Sequence, residues 1–373
     1  MFRNIGIVVT VLMAVALIIS AFGGYYSPER RFAPFFILAV MALPAVLFIN
    51  ASTAVIWLIR KRWLAALIPI AAIAISWQSV RTVFAMHPFM PTLDKVDRSK
   101  HDATLKLLTY NVANFGPYDQ TNFTPSPAMR YILDQNADVV ILQEGTQERD
   151  YMKLSQNKAM VAEIKEKYPY RSGRNHDVMV MSKYKYTIID DISAREQYRY
   201  SNNSRSGHFL VIDVQLPGRT VRVIGVHLQS IGLSDDDKAQ YVDVTRTGVG
   251  GRSELRNVKR NLVDKVVQAA IYRENDVEVV REIVDRTPRD IDLIVCGDFN
   301  DTPAASGYLK LRADDLNDAW ADAGFGYVNT YHDSRLLFKI DHILYRGRLT
   351  PIAIKRDKPK GSDHYPLVAL FEL

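Results

Sequence analysis

A set of short polar motifs, most of them closing an apolar strand-like run, constrains this chain more than any other feature. Tyr110-Asn111 follows Leu105-Lys106-Leu107-Leu108-Thr109, and Gln143-Glu144 follows Asp138-Val139-Val140-Ile141-Leu142. His227 follows Val221-Arg222-Val223-Ile224-Gly225-Val226, and Gly297-Asp298-Phe299-Asn300 follows Leu293-Ile294-Val295-Cys296. Ile340-Asp341-His342 and Gly361-Ser362-Asp363-His364 come last. A buried strand that ends in a carboxylate, carboxamide or imidazole delivers that group to the rim of a sheet. Six such deliveries read as one polar site on a rigid scaffold.

The side chains define the chemistry. Glu144 and Asp363 are hard oxygen donors, suited to a Mg²⁺ or Mn²⁺ ion that keeps several waters. Asp341 and His364 make a carboxylate–imidazole pair, which fixes the tautomer and supports a charged imidazole beside a phosphoryl oxygen. Asp298 and Asn300 share a face if the strand continues through them. One then accepts a proton from water while the other donates an amide hydrogen to a developing oxyanion. Plainer readings stand beside these. Asp298 serves equally as a turn cap and Asn300 as a residue tolerant of left-handed backbone. Glu144 serves as a first-turn acid of a helix, and His227 as a satisfied strand-end histidine. His176 and His342 read as structural or peripheral, since His342 adjoins Asp341 and faces the other side of a strand.

In this order the motifs resemble the metal-dependent endonuclease/exonuclease/phosphatase superfamily. That group includes pancreatic-type deoxyribonucleases, abasic-site endonucleases, inositol-phosphate 5-phosphatases and neutral sphingomyelinases. The resemblance spans residues 105–373 and runs from Asn111 through Glu144, His227, Asp298-Phe299-Asn300 and Asp341 to Ser362-Asp363-His364. Tyr110-Asn111-Val112-Ala113-Asn114-Phe115-Gly116 resembles the deoxyribonuclease opening strand and turn, and Val178-Met179-Val180-Met181-Ser182-Lys183-Tyr184 resembles a family strand and turn. Each motif alone is weak; the ordered set is specific. The resemblance implies an α/β fold, a two-layer β-sandwich flanked by helices in four αββα layers. It implies Glu144 as metal ligand with Asn111 and Asp363 close by, and Asp298 orienting or deprotonating water. It also implies Asn300 bracing the phosphorus and His364, held by Asp341, on the scissile phosphate. His227 would contact the phosphate or assist the leaving group, and other family members use a tyrosine near that place.

Charge divides the chain. Residues 1–104 hold ten Lys or Arg against four acids, which accounts for the whole formal charge of +6; the other 269 residues hold 37 of each sign. Residues 4–28, 32–59 and 63–80 carry no charge at all. A spanning helix needs about 20 apolar residues, with a range of roughly 17–25. We therefore expect an all-α membrane anchor over residues 1–86, with spans near 5–25, 33–59 and 63–84. The first stretch also has the character of a secretory signal, but its apolar core is long and two more apolar stretches follow at once. Residues 87–104 read as a linker, and 105–373 as the catalytic domain.

With three spans, Arg3 and Arg60-Lys61-Arg62 share one side, and Arg30 and Arg31, offset by Glu29, lie on the other. The bias in basic residues assigns the first side to the cytoplasm. The expectation is an integral protein of a bacterial inner membrane with its catalytic domain in the periplasm. The single cysteine, Cys296, forms no intramolecular disulfide and reads as a small buried hydrophobe.

Within 105–373, alternation marks strands at 207–216 and 220–227. Helical spacing marks 129–133, 161–168 and above all 253–285. Residues 245–260 combine glycines with five basic side chains; they read as a solvated helix face behind a turn or as a basic lid over an anionic substrate. No Gly-Lys-Ser/Thr follows, so this is not a Walker loop.

The function expected is metal-assisted hydrolysis of a phosphodiester or phosphomonoester at a membrane. A charge-neutral domain lacks the footprint of tight nucleic-acid binding, and the tether favours a lipid substrate. The alternatives are an extracytoplasmic nuclease scavenging DNA or RNA, and a catalytically dead binding module on the same fold. No protein partner is legible.

Overall fold

The first charge-free stretch folds as one helix, α1 (Phe2–Phe22), in a computed structural model that describes residues 2–115, 126–145, 158–172, 177–191, 208–232, 252–333 and 337–373. The next two stretches fold as broken pairs. These are α2 (Ala33–Met41) with α3 (Leu43–Ile59), bent by 60°, and α4 (Trp63–Ile75) with α5 (Trp77–Val83), bent by 77°. Ile5–Tyr25 is long and apolar enough to cross a membrane, and each bent pair adds a span only if its two pieces act together. The stretches expected as single spans over 33–59 and 63–84 are thus interrupted. Pro44 accounts for the first break: it sits in the first turn of α3, lacks an N–H, and in an uninterrupted helix its ring would clash with the Val40 carbonyl. Buried Asn50 donates to the Met13 and Val46 carbonyls at 2.9 Å, which ties α3 to α1.

Beyond the helices the chain builds two sheets. One has the order β13 (Thr350–Arg356), β14 (Leu367–Glu372), β2 (Thr104–Asn111), β3 (Val139–Gln143), β5 (Val178–Ser182), β4 (Tyr170–Arg171). The other has the order β10 (Asn317–Asp318), β12 (Asp341–Arg346), β9 (Asp292–Asp298), β8 (Arg219–His227), β7 (His208–Leu216), β6 (Tyr186–Asp191). A short ladder of β1 (Phe84–Met86) and β11 (Phe325–Tyr327) stands apart.

The period of two decides which side chain goes where. Leu105, Leu107, Val139 and Ile141 enter the core between the sheets, where they meet Ile212, Val223, Ile294, Cys296 and Ile343. Their neighbours Leu108, Tyr110, Val140 and Leu142 face outward, under α6 (Pro127–Gln135) and α7 (Lys158–Lys167). On the other flank, α8 (Arg252–Arg286) and α9 (Ser306–Arg312) cover Val211, Ile224, Val295 and Leu344. Strands covered on both faces are apolar throughout, which is why these runs barely alternate in the sequence. The architecture is the four-layer αββα sandwich. A last short helix, α10 (Ala319–Ala323), is capped by Asp318, whose carboxylate accepts the Ala321 N–H at 3.0 Å.

Register brings the polar ends together. β2 and β3 are parallel with Asn111 beside Gln143, and β8 and β9 are parallel with His227 beside Asp298. β12 runs antiparallel to β9 with Asp341 opposite Asp298. Gly297 (φ +141) makes the last step of β9 feasible, since a Cβ there would lie 1.9 Å from the Val226 carbonyl oxygen. Residues 87–103 run along the domain. Arg98 pairs with Asp138 at 2.6 Å, Leu93 is buried, and Ala103 accepts the Leu373 N–H at 3.1 Å. Gly116, His176, Gly207 and residues 245–251 of the basic segment lie outside the described residues, as do the side chains of 252–259.

Candidate active site

Asn111 joins the two sheets. Its side-chain nitrogen donates to Glu144 Oε1 and to Asp298 Oδ2, each at 3.0 Å, and its oxygen accepts the Ala113 N–H at 3.1 Å. The Ser362 hydroxyl donates to the Asn111 main-chain carbonyl at 2.7 Å, which docks the 361–364 loop beside β2. Glu144 follows β3 directly in a left-handed bend (φ 54) and belongs to no helix, and its carboxylate is about one-third exposed (34%).

Asp298 is the convergence point. Its Oδ1 accepts the Asn300 N–H at 2.8 Å, while Oδ2 faces Asn111, His364 Nε2 at 3.6 Å and His227 Nε2 at 3.7 Å. β9 ends at Asp298 and Asn300 is left-handed (φ 50), so the two do not share a strand face. The short side chain of Asp298 captures the N–H two residues on and turns the chain. The Asn300 amide then donates to the Leu228 carbonyl at 2.9 Å. Asp341 Oδ2 lies 2.9 Å from His364 Nδ1, and the Thr330 hydroxyl accepts the Ile340 and Asp341 N–H groups at 2.9 and 3.0 Å.

Two of the sequence-derived residues end up differently partnered. His227 Nδ1 lies 2.5 Å from Asp177, a residue the sequence reading passed over. Asp177 precedes the quoted Val178 strand directly, and that position was the available signal. His208, opposite His227 across the β7–β8 ladder, has its Nδ1 3.8 Å from the same carboxylate. Asp363 uses its main-chain carbonyl to accept the His332 N–H at 3.0 Å, and its carboxylate has no partner among the described residues. His342 points to the outer side, fully buried against Phe299 and Tyr308, with Nε2 2.9 Å from the Asp301 carbonyl.

Burial works against charge on both site imidazoles, yet the surrounding anions prevail. His364 is pushed up to about 10 by the Asp341 and Asp298 charges and its bond to Asp341. His227 rises to about 9 through the Asp177 hydrogen bond and the Asp298 charge. Asp298 is raised, first by burial and then by Asp341, against the pull of the two imidazoles. Burial also acts to raise Asp177, but the His227 bond takes it below the usual carboxylate range.

Five carboxylates (Glu144, Asp177, Asp298, Asp341, Asp363) thus surround two imidazolium groups, and among the described residues none of the five pairs with Lys or Arg. Asp341 Oδ1 is buried without a hydrogen-bond partner. Excess negative charge, oxygen donors and an orphaned carboxylate oxygen together fit a hard divalent cation. Asp298, Asp341 and His364 lie within ligand spacing of one another, as do Asp177, His208 and His227.

The endonuclease/exonuclease/phosphatase family model matches residues 108–364. A second model, for a domain of unknown function, matches residues 3–83. The chain belongs to the endonuclease/exonuclease/phosphatase family, whose members are typically metal-dependent hydrolases. Among solved structures, D. rerio TDP2 complexed with single-strand DNA product is 16% identical over 73% of this chain and all of that one, with a TM-score of 0.46. An endonuclease/exonuclease/phosphatase from Bacteroides vulgatus is 17% identical over 73% of this chain and all of that one (TM-score 0.47). Sphingomyelinase C from Streptomyces griseocarneus is 20% identical over 72% of this chain and 99% of that one (TM-score 0.44). No curated protein matches.

Proposed function

We propose that this is a membrane-anchored, Mg²⁺- or Mn²⁺-dependent phosphoesterase that hydrolyses a membrane-proximal phosphodiester or phosphomonoester. The observation that carries the reading is the meeting of Asn111, Glu144, His227, Asp341 and His364 around one buried carboxylate, Asp298. Glu144, with Asn111 and Asp363 beside it, would hold the ion, which supplies neutralisation of the phosphoryl and leaving oxygens.

The protein's own groups divide the remaining work. Asp298 Oδ1 accepts the Asn300 N–H and Oδ2 the Asn111 amide; Oδ2, which also faces His227 and His364, is the atom that takes a proton from the attacking water, on its second lone pair. One hydrogen of the Asn300 amide goes to the Leu228 carbonyl and the second is free for a phosphoryl oxygen. Asp341 holds His364 through Nδ1, which aims Nε2–H at the scissile phosphate. Asp177 holds His227 in the same way, leaving its Nε2–H for the leaving oxygen. Both imidazoles stay protonated at neutral pH, as donation to an anionic transition state requires.

A tethered domain with no net charge, facing the periplasm, meets lipid headgroups more readily than it retains nucleic acid. The test is full-length protein in detergent with Mn²⁺, Mg²⁺ or EDTA against sphingomyelin, phosphoinositides, plasmid DNA and a bis-aryl phosphodiester. Metal-dependent release from a lipid substrate is expected. Cleavage of DNA alone would favour the nuclease, and metal-insensitive binding without turnover the binding module.

A further inference from the structure

The apolar helices do not merely precede the catalytic domain. β1, which follows α5 without a break, pairs with β11 through Phe84–Tyr327, Ala85–Gly326 and Met86–Phe325. Arg81 near the end of α5 pairs with Asp322, and His87 Nε2 lies 2.9 Å from the Ala321 carbonyl. A Cβ on Gly24 would fall 2.0 Å from the Ala304 carbonyl oxygen, and Ala304 is buried in one cluster with Leu17, Ala21, Val40 and Leu43. Residues 302–305 continue directly from the Asp298–Asn300 turn. The turn therefore runs straight into the surface against which the helices pack.

A buried ion pair backs this contact. Lys339 Nζ donates to the Thr82 carbonyl of α5 at 2.9 Å and to Asp318 Oδ2 at 3.1 Å, and both charged side chains are 2% exposed. Asp318 Oδ2 also accepts the Tyr308 hydroxyl at 2.8 Å and lies 3.8 Å from His342 Nδ1. His342 Nε2 reaches the Asp301 carbonyl at 2.9 Å, one residue past Asn300. Lys339 itself stands two residues before Asp341. Lys339 and Asp318 thus tie the end of the apolar helices to Tyr308, and Ile340, the residue after Lys339, accepts the Phe299 N–H at 2.9 Å within the turn that presents Asp298 and Asn300.

We infer that Lys339 is a positioning residue that locks the Asp298–Asn300 turn onto the N-terminal helices, so that turnover depends on the docked anchor. An ammonium buried at this junction must spend its hydrogens on protein acceptors, and a helix C-terminus is where a cation is favoured. The Thr82 carbonyl and the Asp318 carboxylate supply those acceptors from opposite sides of the junction. Losing the ammonium frees both sides at once, and the turn relaxes by the few tenths of an ångström to which transition-state positioning is sensitive. The activity arm of this inference rests on the phosphoesterase reading above; the structural arm does not.

Lys339→Met keeps length and apolar volume while removing the donors, and Gly24→Ala, a substitution outside the catalytic domain, wedges the junction by driving a Cβ against the Ala304 backbone. Each is made in the full chain in detergent micelles. Hydrolysis of the bis-aryl phosphodiester with Mn²⁺ and amide hydrogen exchange are then measured. Expected is a fall in kcat of roughly ten- to hundredfold with KM nearly unchanged. Exchange at 298–305 speeds up in both variants while that at 105–111 does not. If Lys339→Met fails to fold, Gly24→Ala decides alone. Unchanged exchange at 298–305, or a change confined to KM, overturns the inference. A wild-type protein that hydrolyses nothing overturns the phosphoesterase reading, and the exchange data still decide whether the junction holds the turn.

Discussion

Asp298 shows how much one carboxylate is asked to do. With Oδ1 fixed by the Asn300 N–H and Oδ2 shared among Asn111, His227 and His364, it cannot be replaced by an amide without losing its acceptor role. Asp298→Asn and His364→Ala should each lower kcat by about a thousandfold, the scale of losing one electrostatic stabiliser. Because both face the same reacting atoms, the double variant should lose far less than the product. Single-turnover rates of the set measure this, and multiplicative losses would mean independent roles. Glu144→Gln should weaken Mn²⁺ binding in titration calorimetry and slow turnover while leaving the fold intact; unchanged affinity removes Glu144 from the ion. Asp177→Asn removes the anion bonded to His227, so the imidazole should titrate well below its value of about 9. An NMR titration of His227 that does not move would show that Asp177 does not set its charge.

Among elements, the long α8 is fastened to the second sheet by a charge cluster distant from the site. Asp315 Oδ2 accepts from Arg281, Arg289 and Arg346 at 2.9, 2.8 and 3.0 Å, joining α8, the loop after it and β12. Burial would raise its carboxyl, but the three guanidinium groups hold it at about 2. A folded value below the unfolded one, near 3.9, means that the stabilisation is complete above about pH 4. It is lost as pH falls through about 2. Asp315→Asn should cost about 1–2 kcal/mol at pH 7 after allowing for solvent screening, and progressively less towards pH 2. Thermal unfolding of both proteins across that range is the measurement, and a pH-independent gap would refute the account.

At the scale of the molecule, the number of crossings decides which compartment the site meets. One crossing by Ile5–Tyr25, or three with each bent pair counted as a span, leads to the same side; two crossings reverse it. With three crossings, Arg3 with Arg60-Lys61-Arg62 against Arg30 and Arg31 favours a cytoplasmic amino terminus. An alkaline phosphatase reporter fused after Leu373 should therefore be active, and with three crossings one fused within residues 60–63 should be silent, since the reporter needs an oxidising space for its disulfides. The opposite pattern would put the catalytic domain in the cytoplasm and bring nucleotide substrates within reach.

Strand-ending polar residues, two-sided apolar strands and charge-free helical stretches were all legible along the chain. Each is a local pattern of period two or of composition, readable without knowing what lies across the space. The order of Asn111, Glu144, His227, Asp298, Asp341 and His364 along the chain was likewise enough to indicate the family. The tertiary structure decided what periodicity cannot carry. Asn300 leaves the strand because the Asp298 side chain captures its N–H, a competition between side chain and ladder that composition leaves open. Asp177 meets His227 across 50 residues of chain, and Lys339 meets Thr82 across 257. Contacts at that separation are set by register and by the packing of layers. Their partners can be named only once both elements stand side by side.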